Sequence, residues 1–192
     1  MVALKQVEDF SDIKKYVSHP DIYFNHNPLV RYYFNEIFVK AINIAKPKKE
    51  DVILDFGCGK HKQLKCFLGD GFNYYGYDIV KEWSDFKDFS EIIPDITLIF
   101  ALSVFEHLTE EELRNCLSKF RELNTNPILI TAIPFQNMQS EILKKITGIA
   151  QTENEHKLSF KEINRIISNF FILEKSENFL NLIQISRWRD WK

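Results

Sequence analysis

The hydrophobic rhythm of this chain changes twice along its length. Asn27 followed by Pro28 has the form of a helix N-cap with proline in the first turn. After it, Leu29, Val30, Tyr33, Phe34, Ile37, Phe38, Ala41 and Ile42 recur at three- and four-residue spacing, which predicts a helix with one buried face. Pro47 and the charged run K-P-K-K-E-D end it. From Asp51 the apolar positions contract into short runs. Val52, Ile53 and Leu54 form a strand that closes on Gly57 and Gly59, and a helix over 60–68 stops near Gly69 and Gly71. F-N-Y-Y-G-Y-D-I-V reads as a second strand with Asp78 near its end, and Ile96 to Ala101 as a third.

A second helical rhythm follows. Thr109 with Glu112 forms a capping box ahead of a stripe of Leu113, Cys116, Leu117, Phe120 and Leu123. Pro127 to Pro134 is another apolar run, and Ser159 with Glu162 a second box leading into Ile163, Ile166, Ile167 and Phe170. Two β-rich stretches, F-F-I-L-E-K and F-L-N-L-I-Q-I, finish the pattern, and the S-E-N between them permits only an antiparallel hairpin. The prediction is an α/β fold: an open, mostly parallel sheet with helices on both faces and an antiparallel C-terminal edge hairpin. Residues 1–46 form a helical N-terminal cap segment and 47–192 one compact unit. Ligands bind such sheets beyond the carboxyl ends of the strands, where the strand order reverses. That puts Gly57, Asp78 and 102–107 around one crevice.

Composition changes this picture little. A chain of 192 residues, 45% hydrophobic and with 17 phenylalanines, suits a single domain with a sizeable core. A formal net charge of −2 exerts no pull on nucleic acid or acidic membranes. Cys58, Cys66 and Cys116 make no C-x-x-C pair, so neither a disulfide framework nor a zinc site is suggested. The opening residues lack the apolar stretch of a secretory signal, and no run approaches the roughly 20 residues of a membrane span. A soluble cytoplasmic protein is expected, with no membrane or nucleic-acid partner.

The candidate chemistry lies in D-V-I-L-D-F-G-C-G-K-H, from Asp51 to His61. Asp78 follows Gly59 by nineteen residues (78 − 59), where an acid would accept hydrogen bonds from a ribose diol. The dinucleotide fingerprint needs a third glycine at position 62, but Lys62 stands there, and no P-loop pattern is present. A nucleoside without phosphates fits better, and a nicotinamide-dinucleotide enzyme is the weaker alternative.

V-I-L-D-F-G-C-G resembles the first motif of class I S-adenosylmethionine-dependent methyltransferases, acid-x-Gly-x-Gly-x-Gly. G-Y-D-I resembles the acid after their second strand, and P-D-I-T-L-I-F-A-L-S-V-F-E-H-L their fourth-strand segment. The resemblance spans about residues 48–188 and implies a Rossmann-like fold. It also implies S-adenosyl-L-methionine as cofactor and S-adenosyl-L-homocysteine as product. By position, Asp55, Gly57 and Gly59 would line the methionine end, with Cys58 a small residue in the same loop. Asp78 would hold the ribose and Ile79 touch the adenine, whose amino group would meet Asp85 or Asp88. Ala101 and Leu102 would offer backbone groups to the methionine ammonium. Two departures stand out. His61 occupies the third glycine position, and only residues 79–94 separate Asp78 from Asp95, so the second crossover must be trimmed.

The implied reaction is methyl transfer to a small-molecule or glycan-like acceptor by direct in-line displacement, with a catalytically inactive binding module as the alternative. His107 is the candidate base or acceptor contact, whereas Glu106 reads as a helix-start acid. Tyr23, His26, Phe135 and His156 are candidates for the acceptor pocket. A metal-using branch of the family carries E-x-x-E-H where this chain has S-V-F-E-H, and Ser103 in place of the first acid argues against a metal. The tail S-R-W-R-D-W-K is expected to be an edge strand with solvated charges.

Overall fold

A computed structural model describes residues 27–88, 91, 95–123, 125–136 and 156–190. Helix α1 (Pro28–Ala45) starts where the Asn27 side chain accepts from the Leu29 amide at 3.0 Å, and ends on Lys46 in a left-handed conformation. Six strands form one sheet: β1 (Val52–Phe56), β2 (Asn73–Tyr77), β3 (Leu98–Leu102), β4 (Ile128–Pro134), β5 (Phe171–Phe179) and β6 (Ile183–Asp190). Their order is β2-β1-β3-β4-β6-β5. β1 to β4 are mutually parallel, β6 is antiparallel to β4, and β5 is antiparallel to β6. Helices α2 (Gln63–Leu68), α3 (Glu110–Arg121) and α4 (Phe160–Ile167) complete the described elements, apart from two single 3₁₀ turns.

Both faces of the central strands are buried, so each strand divides its apolar side chains between two cores. Ile53, Leu98, Phe100, Ile130 and Ala132 pack under α1 with Ile37, Phe38, Ala41 and Ile44. Leu54, Phe56, Ile99, Leu129 and Ile133 pack with Leu113, Leu117 and Phe120 of α3 and Ile163, Ile166 and Ile167 of α4. Aromatic contacts knit the second core, with Phe56 stacked on Tyr77 at 5.4 Å and edge-on to Phe120 at 5.4 Å. Both predicted capping boxes form, Thr109 with Glu112 and Ser159 with Glu162. Between β2 and β3 the chain makes a 3₁₀ turn at Lys81–Trp83, in keeping with a trimmed crossover. No described helix is long and apolar enough to cross a membrane.

Three expectations fail in detail. The S-E-N segment is not the hairpin link but lies inside β5, with Phe179 paired to Ile183. The link is the three residues 180–182: Leu180 and Asn181 both sit at φ 53°, and the Leu182 amide donates back to the Phe179 carbonyl at 3.0 Å. The tail is not a solvated edge either. β6 is an interior strand; Trp188 is buried and its indole N–H donates to Thr131 Oγ1 at 3.0 Å. Arg187 bonds the carbonyl of Ala45 at 2.6 Å and pairs with Glu174 at 2.8 Å. Finally, α2 begins at Gln63, because the loop before it runs through left-handed Lys62.

Candidate functional site

β2 lies on one side of β1 and β3 on the other, so the strand order reverses between β1 and β3. The loop leaving β1 bends through Gly57 at φ 81° and Gly59 at φ 63°. The amides of Gly57 and Cys58 both donate to the Tyr77 carbonyl, at 2.8 and 3.1 Å, which ties this loop to the end of β2. A Cβ on Gly57 would stand 2.3 Å from Cγ2 of Val104, in the segment after β3. Positive φ and lack of space therefore both demand glycine there. Cys58 is buried against Gly76, and burial, then the charges of Asp55 and Asp78, push its thiol up. Such a thiol is a filler and not a nucleophile.

Three carboxylates line the β1–β2 side. Asp55 is buried, accepts from the Tyr74 hydroxyl at 2.6 Å, and is pushed up to about 7 by burial. Asp78 is also buried; its Oδ2 accepts from the Gly59 amide and its Oδ1 from the Val80 amide, each at 2.9 Å. Burial raises Asp78, against the pull of backbone hydrogen bonds from Val80, Gly59 and half-buried Ile79. Asp85 is more exposed. Partial burial would raise it, but the Lys62 ammonium at 2.5 Å and the Gly76 amide at 2.7 Å hold it below the usual range. Both Asp85 oxygens are thus engaged in stitching Lys62 to β2. Asp88 lies three residues on, exposed, and its carbonyl accepts from the Glu91 amide at 3.1 Å.

Across the crevice, Ala101 is buried and Leu102 half-buried at the end of β3. Ser103 turns the chain at φ 55°, its amide donating to the Ala132 carbonyl at 2.9 Å. A 3₁₀ turn, Phe105–His107, follows. Glu106 does not start a helix, because α3 begins at Glu110 behind its Thr109 cap. Its side chain is 2% exposed, Oε2 has no hydrogen-bond partner, and burial pushes the carboxyl up to about 8. His107 is exposed and His156 half-buried, with ring centroids 5.3 Å apart. The amide of Lys157 donates to the Glu106 carbonyl at 2.7 Å, drawing the His156 segment onto this turn. Phe135 packs on Phe160 at 4.5 Å, and its amide donates to the Leu182 carbonyl at 2.8 Å. Tyr23 and His26 lie outside the described residues.

Two residues at this site carry no sequence signal of their role. Tyr33 on α1 belongs to an ordinary apolar stripe, yet burial and then the Glu106 carboxyl push its hydroxyl up. Tyr74 alternates like any strand residue, and only the parallel register of β1 and β2 brings it to Asp55.

No family model matches the sequence, and no curated protein matches it. Solved structures do match the fold. Magnesium protoporphyrin IX methyltransferase from Synechocystis PCC 6803, with bound SAH, is similar with a TM-score of 0.68 and 17% identity, over 95% of this chain and 100% of that one. The 1,6-didemethyltoxoflavin N1-methyltransferase of Burkholderia thailandensis, with bound 1,6-didemethyltoxoflavin and S-adenosylhomocysteine, is similar with a TM-score of 0.60 and 10% identity, over 97% and 92%. A small RNA methyltransferase is similar with a TM-score of 0.59 and 17% identity, over 83% of this chain and 25% of that one. The chain has the Rossmann-like fold of the class I S-adenosylmethionine-dependent methyltransferases.

Proposed function

We propose that this protein binds S-adenosyl-L-methionine at the carboxyl ends of β1, β2 and β3 and transfers its methyl group to a compact acceptor. The observation that carries the reading is the glycine loop at the strand reversal, fastened by its Gly59 amide to the buried Asp78. The cofactor is a nucleoside without phosphates that carries an ammonium and a sulfonium. Buried carboxylates suit such a cation, and phosphates would meet repulsion there. Asp78 would face the ribose diol and Ile79 the adenine. Asp55, Gly57 and Gly59 would line the methionine end, with the backbone of Ala101 and Leu102 receiving its ammonium. The adenine amino group would meet Asp85, which already accepts from Lys62 and Gly76, or Asp88.

Methyl transfer from a sulfonium is an in-line displacement in which the leaving group is already activated. The chain's work is then to orient the reactants and exclude water. Buried Phe105 and half-buried Val104 behind the loop supply a dry wall. The acceptor side would be the rim of His107, His156 and Phe135, where a proton released by a hydroxyl or ammonium acceptor needs a base. A compact acceptor is supported by fold relatives that act on small molecules, including the toxoflavin enzyme.

Calorimetry with S-adenosylmethionine, S-adenosylhomocysteine and NAD tests the reading. One equivalent of either sulfur nucleoside should bind, and NAD should not. Binding of NAD alone, or of none of the three, overturns it.

A further inference from the structure

We propose that Tyr74 is a positioning residue for the cofactor: its hydroxyl holds Asp55 so that the other carboxylate oxygen receives the methionine ammonium. The proposal rests on the methyl-transfer reading and adds a residue of β2 to it. Asp55 is 4% exposed, and its Oδ2 accepts from the Tyr74 hydroxyl at 2.6 Å. No described residue donates to Oδ1. A buried carboxylate with one oxygen engaged has an acceptor to spare, and a cation is the partner that best offsets its burial.

Strand register explains why Tyr74 is the donor. Ile53 stands opposite Tyr74 and Asp55 opposite Gly76, so Tyr74 lies diagonal to Asp55 on the same face of the parallel pair. Gly76 brings no side chain to Asp55; a Cβ there would stand 2.8 Å from Cys58 Sγ and 3.3 Å from Lys62 Cε. The half-buried Tyr74 ring packs against the core beneath α1, which fixes where its hydroxyl can reach. Asp55 precedes Gly57 by two residues, at the carboxyl end of β1, where the methionine end is proposed to lie.

Electrostatics set what this hydrogen bond does. Burial pushes the Asp55 carboxyl up to about 7; the Tyr74 donor and Lys62 oppose that rise, and Asp78 adds to it. Burial and then the Asp55 charge push the Tyr74 hydroxyl up, so it keeps its proton and stays a donor. Cys58, Asp85 and the Lys65 ammonium, 5.7 Å from the centre of the Tyr74 ring, are the other titratable groups around the pair. A donor favours the ionised carboxylate, which is the form that an ammonium needs. Tyr74 thus supplies both geometry and charge state.

Calorimetry on the full chain with S-adenosylhomocysteine and with 5′-methylthioadenosine tests the proposal. The second probe keeps the nucleoside and the sulfur but lacks the amino-acid end. Tyr74→Phe should weaken S-adenosylhomocysteine about fivefold or more at pH 7 and leave methylthioadenosine within about twofold. That deficit should shrink from pH 7 to about pH 8.5, where Asp55 ionises without the donor, and it should disappear on an Asp55→Asn background. Comparing the proteins at each pH cancels the ligand's own titration. Unchanged S-adenosylhomocysteine affinity in Tyr74→Phe, an equal loss of both ligands, or a deficit that persists beside Asp55→Asn overturns this proposal alone. Absence of S-adenosylhomocysteine binding by the unaltered protein overturns the methyl-transfer reading and this proposal with it.

Discussion

The backbone amide of Gly59 donates to Oδ2 of Asp78 across 2.9 Å, joining the turn after β1 to the residue that follows β2. One carboxylate therefore shapes the loop, and it is proposed to face the ribose as well. Asp78→Ala should weaken S-adenosylhomocysteine binding by about 1–3 kcal/mol, the cost of lost charge-assisted hydrogen bonds. Calorimetry on the folded variant checks this, and undiminished affinity would remove Asp78 from the site.

Gly57 cannot accept a side chain. Gly57→Ala meets Val104 at 2.3 Å and a φ of 81°, so it should cost about 2–4 kcal/mol from crowding and left-handed strain together. Adding Val104→Ala should restore the crowding share and leave roughly 1–2 kcal/mol of backbone strain. Denaturant midpoints of the single and double variants separate the two.

Asp55 makes the ligand-free protein less stable as pH rises. Burial pushes its carboxyl up to about 7, from the usual aspartate value of about 4 in an unfolded chain. Between those values the unfolded chain has released this proton while the folded protein retains it. Stability from this group is thus complete below about pH 4 and is lost as pH rises to about 7. Glu106, pushed up to about 8, extends the decline in the same direction. Urea unfolding across this range should show the fall, and Asp55→Asn should flatten it up to about pH 7. An unchanged slope in the variant would refute the assignment.

The hairpin turn is improvable. Leu180 and Asn181 both sit at φ 53°, and Leu180 is 60% exposed, so its side chain gains little from packing. Replacing the pair with Asn-Gly, the preferred residues of this turn, should add about 1 kcal/mol. That corresponds to a rise of roughly 2–4 °C in Tm for a domain of this size. A fall in Tm would mean that Leu180 packs more than its exposure implies.

Trp188 and Thr131 make a buried polar pair inside the sheet. Thr131→Val keeps the shape but leaves the indole N–H without an acceptor, so it should cost about 1–3 kcal/mol. A denaturation curve indistinguishable from that of the unaltered protein would refute this.

Much of the fold was legible because its signals are local. Asn27-Pro28, Thr109 with Glu112, and Ser159 with Glu162 each act within a single turn of backbone, and each cap forms as read. The apolar runs of β1, β3 and β4 announced doubly buried strands for the same reason. The hairpin was misplaced because S-E-N is polar like a loop, whereas exposed edge strand β5 tolerates polar residues along its length. Backbone chirality at Leu180 and Asn181, invisible in residue type, chose the turn.

By itself, the sequence determined the layered α/β order, the glycine loop and the acid that meets it, since periodicity, caps and short turns are properties of neighbouring residues. Only the tertiary structure decided the fate of Glu106. Residue 106 looks like a surface acid next to a helix, but packing buries it. Backbone hydrogen bonds from Lys157 and Leu158 then draw His156 to its side. Burial and long-range convergence depend on how distant segments share one volume, and no local spacing encodes that.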